Sequence, residues 1–271
     1  MNVFEITNLA CTYNEKSRPV LFIERLEIQK GKLTVILGQS GSGKSTLIEA
    51  LGLMNNTILG GEVLYRSPEE VENVGKLWKK RSKMAKIRRD YFSFIFQDDY
   101  LMPYYSCEEN VLIARLIQEK IGRSEKDALL AGPIGKMGLS GNGIMKRFPY
   151  QLAGGQKQRL SFIRAILKDF DVLFGDEPTG NLDYQNSEHL FEFIKSKLQN
   201  KANSAIIVSH NIELSVAMAD TIIVLTRAAE GSEFNFELKQ ENVFDRTSGK
   251  EYAGYKDPDD LIRFIKEIMS A

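Results

Sequence analysis

The stretch Gly38-Gln39-Ser40-Gly41-Ser42-Gly43-Lys44-Ser45-Thr46 decides how the rest of the chain is read. It satisfies the pattern GxxxxGK[ST], follows the apolar run Leu33–Leu37 and precedes a helical stretch, Thr46–Leu53. Strand, glycine-rich loop and helix start form the context in which this pattern cradles phosphates. Glycines let successive backbone N–H groups turn inward without side-chain clash, and a helix start adds about half a positive charge. Burying the charges of a nucleoside triphosphate unpaired costs on the order of tens of kcal/mol, so a binder needs such a cradle. The pattern assigns Lys44 to the β- and γ-phosphates and the Ser45 hydroxyl to Mg²⁺. A plain Gly/Ser surface turn gives no reason for Lys44 and Ser45 to stand directly after a strand.

Working outward, the 271 residues are 43% hydrophobic and 27% charged, enough to bury a sizeable core as one large or two small domains. Lys plus Arg and Asp plus Glu both number 36, so no basic excess points to a nucleic-acid partner. Cys11 and Cys107 lie far apart without metal-ligand spacing and read as reduced thiols of a cytoplasmic protein. The N-terminus lacks a basic region followed by a long apolar one, so no signal peptide is expected. No apolar run nears the ~20 residues that cross a bilayer, so any crossing falls to another chain.

Residues 3–9 and 20–28 read as strands with a polar turn, Asn14–Pro19, between them. Further strands are expected at 59–66, 91–97, 172–175, 205–209 and 221–225. Helices are expected at Glu108–Lys120, Gln156–Leu167, Asn186–Gln199 and Ile212–Met218, and residues 132–149 read as a glycine-rich loop. Alternating strands and helices argue for an α/β fold with a mainly parallel sheet. From Lys76 to Arg89 there are eight basic residues and no acidic one, read as a solvated helix face ahead of an anionic-lipid contact or nucleic acid. After Arg227, Glu233–Leu238 alternates like a half-exposed strand. Asp257-Pro258-Asp259-Asp260 then starts a helix whose Leu261, Phe264, Ile265 and Ile268 share one face.

A second block narrows the function. Leu152-Ala153-Gly154-Gly155-Gln156-Lys157-Gln158-Arg159 resembles the signature motif LSGGQxQR of ATP-binding-cassette (ABC) ATPases. Asp171-Val172-Leu173-Phe174-Gly175-Asp176-Glu177 resembles their Walker B strand, and Pro178-Thr179-Gly180-Asn181-Leu182-Asp183 their D-loop. Val208-Ser209-His210 is similar to the histidine switch, Phe96-Gln97 to the glutamine loop, and Tyr13 stands at the place of an adenine-stacking aromatic. The features occur in the family's order over residues 3–225. The wording EPTGNLD, in a chain with one cassette, most resembles the lipoprotein-releasing, macrolide-export and cell-division branch. The tail after about Arg227 lies outside the resemblance.

The resemblance implies a P-loop NTPase fold of the ABC type, with a mixed, mainly parallel sheet and a helical subdomain. It would comprise an ATPase domain at 1–226, the helical signature subdomain near 98–165, and an extension at 227–271 made of a strand and an amphipathic helix. Two cassettes face each other in the family, each phosphate loop meeting its partner's signature. Gly38 to Thr46 would then hold ATP phosphates and Tyr13 would stack on adenine. Ala153, Gly154, Gly155 and Gln156 would reach the opposite nucleotide, and Asp183 would communicate across the dimer. Asp176, with Ser45 and Gln97, would hold Mg²⁺, since a hard cation prefers oxygen ligands. Glu177 would be the general base, His210 would contact the γ-phosphate, and Gln97 would also sense the membrane partner. His189, the other histidine, reads as a solvated or packing residue on a helix.

This sequence departs from the pattern at two positions. Ala153 stands where Ser usually meets the opposite γ-phosphate, a hydrogen bond to a charged group worth about 1.5–3 kcal/mol. Asn211 stands where an acid commonly follows the switch histidine. With Glu177 present, an active ATPase is expected. The implied protein is the ATP-hydrolysing subunit of a transporter, cytoplasmic and peripheral on the inner face of the cell membrane. Its partners would be a second, identical cassette and a membrane-spanning subunit, whose helix the stretch Tyr100-Leu101-Met102-Pro103-Tyr104-Tyr105 is placed to receive. The alternatives are a soluble ABC ATPase of cofactor assembly and a mechanical signalling ATPase that moves no cargo. DNA-repair versions need a coiled-coil insertion and translation-factor versions two cassettes, and neither feature is present.

Overall fold

The alternation read from the sequence is realised in a computed structural model of the chain, which describes residues 1–13, 18–119, 122–139, 143–180, 182–199, 203–248 and 251–270. The first half holds β1 (Asn2–Cys11), β2 (Leu21–Gln29), β3 (Leu33–Gly38), α1 (Lys44–Leu51), β4 (Ile58–Arg66), β5 (Val71–Asn73), α2 (Val74–Leu77), α3 (Arg81–Asp90), β6 (Phe92–Ile95) and α4 (Cys107–Gln118). The second half holds α5 (Arg123–Lys136), α6 (Gly154–Leu167), β7 (Val172–Asp176), α7 (Tyr184–Leu198), β8 (Ser204–Val208), α8 (Ile212–Met218), β9 (Thr221–Arg227), β10 (Phe236–Leu238), β11 (Val243–Ser248), β12 (Glu251–Tyr252) and α9 (Pro258–Ser270). The turn expected at Asn14–Pro19 falls partly outside the described residues, as does Lys120 at the end of the expected helix.

The strands form one mixed sheet in the order β5-β4-β1-β2-β10-β9-β3-β8-β7-β6. Strands β9, β3, β8, β7 and β6 run parallel, while β1, β2, β4 and β5 pair antiparallel. The parallel strands are mostly apolar, with few polar residues such as Thr34 and Ser93, because both of their faces are covered. Their period-2 alternation sorts side chains between two cores. Val35, Leu173, Ile207 and Val224 enter the core shared with α6, α7 and α8. Ile36, Phe174, Ile206 and Ile223 enter the opposite core, shared with α1 and the antiparallel strands. Strand β10, within the stretch read from sequence as a half-exposed strand, joins β2 to β9, and Phe234 just before it stacks on Phe22 at 4.4 Å.

One polar triad is built into the second core. Asp171, at the start of β7, accepts from the Tyr65 hydroxyl at 2.8 Å and pairs with Lys30 Nζ at 2.8 Å. A buried carboxylate is tolerated there because both of its oxygens have partners.

One expectation is corrected. The loop expected over 132–149 begins inside α5, and Ile144–Lys146 and Pro149–Gln151 form single 3-10 turns, with 140–142 outside the described residues. Glycines at 132 and 135 each disfavour helix by about 1 kcal/mol, but Leu130 and Met137 bury an apolar face that outweighs them. The basic run Lys76–Arg89 is largely exposed, as expected, and some of its charges have acidic partners. Lys83 pairs with Glu70 and Glu72, Lys86 with Glu69, and Arg89 with Asp90.

Candidate functional site

In open α/β sheets, ligands gather outside the carboxyl ends of parallel strands. Register places the motifs there, on neighbours. Gly38 at the end of β3 lies opposite Leu225, Asp176 at the end of β7 lies opposite Val208, and Ile95 at the end of β6 lies opposite Gly175. The phosphate loop, Asp176-Glu177, Ser209-His210 and Gln97 therefore leave adjacent strands at one edge.

The loop from β3 to α1 is shaped by its glycines. Gly43 caps α1 with φ 89°, a region L side chains seldom adopt, and a Cβ there would stand 3.0 Å from Leu21 Cβ. A Cβ on Gly38 would stand 2.6 Å from Ser42 Oγ. Lys44 is 5% exposed and donates Nζ to the carbonyls of Gly38 at 2.9 Å and Gln39 at 2.8 Å. Two of its three donors are thus used by the loop itself. Burial pushes the Lys44 ammonium below the ordinary lysine range, against the charges of Glu177 and Asp176. Ser42 Oγ is buried without a hydrogen-bond partner, a polar atom the protein leaves unanswered.

Asp176 is held above the ordinary carboxylate range by burial, with Glu177 and Glu49 adding to the rise and the Ser45 hydroxyl bonded to it opposing. A serine hydroxyl against a carboxylate, beside further acidic charge, is an oxygen donor set that suits Mg²⁺. No group of three or more His, Cys, Asp or Glu side chains that could hold a metal occurs among the described residues. Glu177 has φ 47°, left-handed for a residue with a side chain, and its amide donates to the Val208 carbonyl at 3.1 Å. Strain of this kind persists only where surrounding structure enforces it, and it gathers at active sites. The bent backbone brings Glu177 Oε1 to 2.5 Å from His210 Nε2.

Tyr13 sits beside α1, its hydroxyl donating to Glu49 at 3.1 Å and accepting from Thr46 Oγ1 at 3.1 Å. The residue is 58% exposed, so a ring face is open for stacking. Gln97 lines a cavity of about 510 Å³ with Ile48, Met54, Phe96, Tyr100 and Asp176. Tyr100, Met102, Tyr104 and Tyr105 are exposed in the segment that follows.

The signature residues lie elsewhere. Ala153 caps α6, and Gln156 Oε1 accepts from the Ala153 N–H at 3.1 Å. No hydrogen bond among the described residues joins Ala153–Gln156 to Gly38–Thr46. Asp183 caps α7 by accepting from the Asn186 N–H at 2.9 Å, which holds its carboxyl below the usual range. Asn181 of the D-loop lies outside the described residues. His189 lies on α7, as expected. Asn211 caps α8 by accepting from the Leu214 N–H at 2.8 Å, so it serves the helix that follows His210.

Two connections escaped sequence reasoning. Gln158 on α6 donates to the Pro178 carbonyl at 2.9 Å, and Arg164 donates to the carbonyls of Tyr100 at 2.8 Å and Asp99 at 2.9 Å. One helix therefore fastens both the turn after Glu177 and the segment after Gln97. Gln158 stood inside the signature pattern. Arg164 carried no signal, because its partners are backbone atoms distant in sequence.

Comparison with known proteins follows the same lines. A family profile described as ABC transporter matches residues 24–180. The lipoprotein-releasing system ATP-binding protein LolD of Francisella tularensis subsp. tularensis (strain FSC 198) is 34% identical over 218 residues, 80% of this chain and 90% of that protein. LolD 1 of Chlorobium luteolum is 34% identical over 225 residues, 80% of this chain and 92% of its own. The solved dimer of the ATP-binding cassette MJ0796, in a post-hydrolysis state with ADP and Pi, superposes with a TM-score of 0.74 at 25% identity. It covers 91% of this chain and all of that one.

Proposed function

Because this chain belongs to the ABC transporter family, we propose that two copies of it close around ATP, each phosphate loop meeting the Ala153–Gln156 stretch of the other. The chain is the ATP-binding and hydrolysing subunit of a transporter whose membrane-spanning part is a separate chain. Among the described residues no helix is long and apolar enough to cross a membrane. We place the subunit on the cytoplasmic face, peripheral to its partner. The cavity beside Gln97 and the exposed Tyr100, Met102, Tyr104 and Tyr105 would receive a helix of that partner. Residues 1–226 would form the ATPase domain and 227–271 an extension of it.

The single observation that carries the site reading is the 2.5 Å contact between Glu177 and His210 at the strand ends that also bear the phosphate loop. Lys44 holds the β- and γ-phosphates by exchanging its Gly38 and Gln39 carbonyl contacts for phosphate oxygens. Ser42 Oγ, buried and unpartnered, is available to the same anion. Glu177 takes the proton of the attacking water, with His210 fixing the carboxylate and facing the γ-phosphate. Ser45 and Asp176, joined by Gln97, are the residues that would hold Mg²⁺, which when bound neutralises charge on the phosphates. Tyr13 supports adenine through its ring, and Asp183 lies in the loop that crosses to the partner cassette.

Substituting Glu177→Gln keeps the shape and removes the base. Steady-state ATP turnover should fall by about 10²–10⁴, while nucleotide binding persists and the closed dimer accumulates on size exclusion. Turnover equal to the native protein's would remove Glu177 from this role.

A further inference from the structure

Helix α9 ends against the phosphate loop. Gln39, the second residue of that loop, donates Nε2 to the Met269 carbonyl and accepts at Oε1 from Arg227 Nε at 3.2 Å. Carbonyls in the last turn of a helix lack partners within it, and the last turn of α9 has no basic side chain to supply one. Gln39 thus answers an orphan acceptor while it is itself gripped from two sides, by the end of α9 and by the end of β9.

The helix that delivers this contact is firmly seated. Leu261 and Ile265 are fully buried, and Phe264 packs on Phe244 at 6.1 Å and Tyr255 at 5.7 Å between ring centres. Lys266 pairs with Glu213 at 2.7 Å, tying α9 to α8. Helix α8 is capped by Asn211, the residue after His210. One element therefore reaches from the helix behind His210 to the loop that carries Lys44.

We propose that α9 is a strut of the nucleotide site, and that Gln39 is the positioning residue through which it acts. Gln39 is also the residue whose backbone carbonyl receives Lys44 Nζ at 2.8 Å. Pinning its side chain therefore sets the loop geometry from which Lys44 transfers to phosphate. A loop held in its binding shape loses less freedom when the ligand arrives. The proposal rests on reading Gly38–Thr46 as the phosphate loop. It assigns a nucleotide-site role to residues 258–270, which none of the motifs includes.

The test is a double-mutant cycle on the full chain, with ATPγS and Mg²⁺ as the binding probe and steady-state ATP hydrolysis as the second readout. One variant stops after Ile268, which removes the Met269 carbonyl and keeps Leu261, Ile265 and Lys266. The other is Gln39→Leu. A net neutral hydrogen bond is worth roughly two- to tenfold in an equilibrium. Each variant should weaken ATPγS binding and raise KM by about that factor, with kcat within about twofold, and the combined variant should match the worse single one. Unchanged affinity in the shortened chain, or strictly additive effects, overturns the proposal. Should the shortened chain lose its thermal transition, Ile268→Gly with Met269→Gly frays the last turn instead, and weakened or unchanged ATPγS affinity decides in the same way. Failure of the underlying loop reading has its own signature, an unaltered ATPγS affinity in Lys44→Ala.

Discussion

Replacing Ala153 by Ser separates two jobs that a single hydroxyl can do. Ala153 occupies the N-cap of α6 with φ −67° and ψ 155°, and no side chain caps the helix start. Half of a capping box is already present, because Gln156 Oε1 accepts from the Ala153 N–H. A Ser at this position can complete it by accepting from an N–H of the first turn, worth typically ~1 kcal/mol. For a chain of this size that is a rise of roughly 2–4 °C in the melting temperature. In the closed dimer the same hydroxyl is to meet the partner's γ-phosphate, a charged hydrogen bond worth about 1.5–3 kcal/mol, or roughly ten- to a hundredfold in dimer affinity. The measurement pairs differential scanning calorimetry without nucleotide with sedimentation of the Ala153→Ser dimer in ATP, both in a Glu177→Gln background that cannot turn over. A higher melting temperature with unchanged dimer affinity shows that the hydroxyl serves only the cap, and it refutes the placing of Ala153 against the partner's phosphate.

The remaining predictions concern charge. Lys44→Ala should weaken ATP binding by about ten- to a hundredfold, the worth of a charged hydrogen bond, as read by calorimetric titration; a smaller effect than that of Gln39→Leu would contradict the assignment. Asp171→Ala strands the Lys30 ammonium and the Tyr65 hydroxyl in the core and should cost about 3 kcal/mol in urea unfolding. Adding Lys30→Met should recover part of that loss, and no recovery would mean that the triad is not the cause. Burial raises the Asp176 carboxyl, so the folded chain binds this proton more tightly than the unfolded one. Its contribution is complete below the unfolded value and lost as pH rises through the folded one. Asp176→Asn should therefore flatten the fall in stability as pH rises above the ordinary carboxylate range, and an unaltered slope in urea titrations would rule this out.

Much of the fold was legible along the chain. Leu33–Leu37, broken only by Thr34, and Val172–Phe174 are apolar runs because strands covered on both faces need no polar side. Locating the strand ends therefore located most of the site: Gly38, Gln97, Asp176, Glu177 and His210 each fall at or just beyond one. The misread element is the one where packing opposed local preference. Helix α5 keeps two glycines and a proline because Leu130 and Met137 have a core to enter, and that core is assembled from residues far away in sequence. Strand β10 falls within Glu233–Leu238, where a strand is expected, but its place between β2 and β9 is set by the strands on either side.

By itself the sequence determined the chemical inventory: a lysine in a glycine loop, a carboxylate pair after a buried strand, one histidine after another strand, and a signature bearing Ala instead of Ser. These are local patterns, because backbone geometry and residue type settle them within a few positions. Only the tertiary structure decided which of them meet. It placed Glu177 at 2.5 Å from His210 by bending the backbone to a positive φ. Among the described residues it left Ala153–Gln156 without a hydrogen bond to the phosphate loop, and it brought Met269 to Gln39 across 230 residues. Such contacts depend on sheet register and helix packing, which sum weak interactions over the whole chain, so no single stretch of sequence contains them.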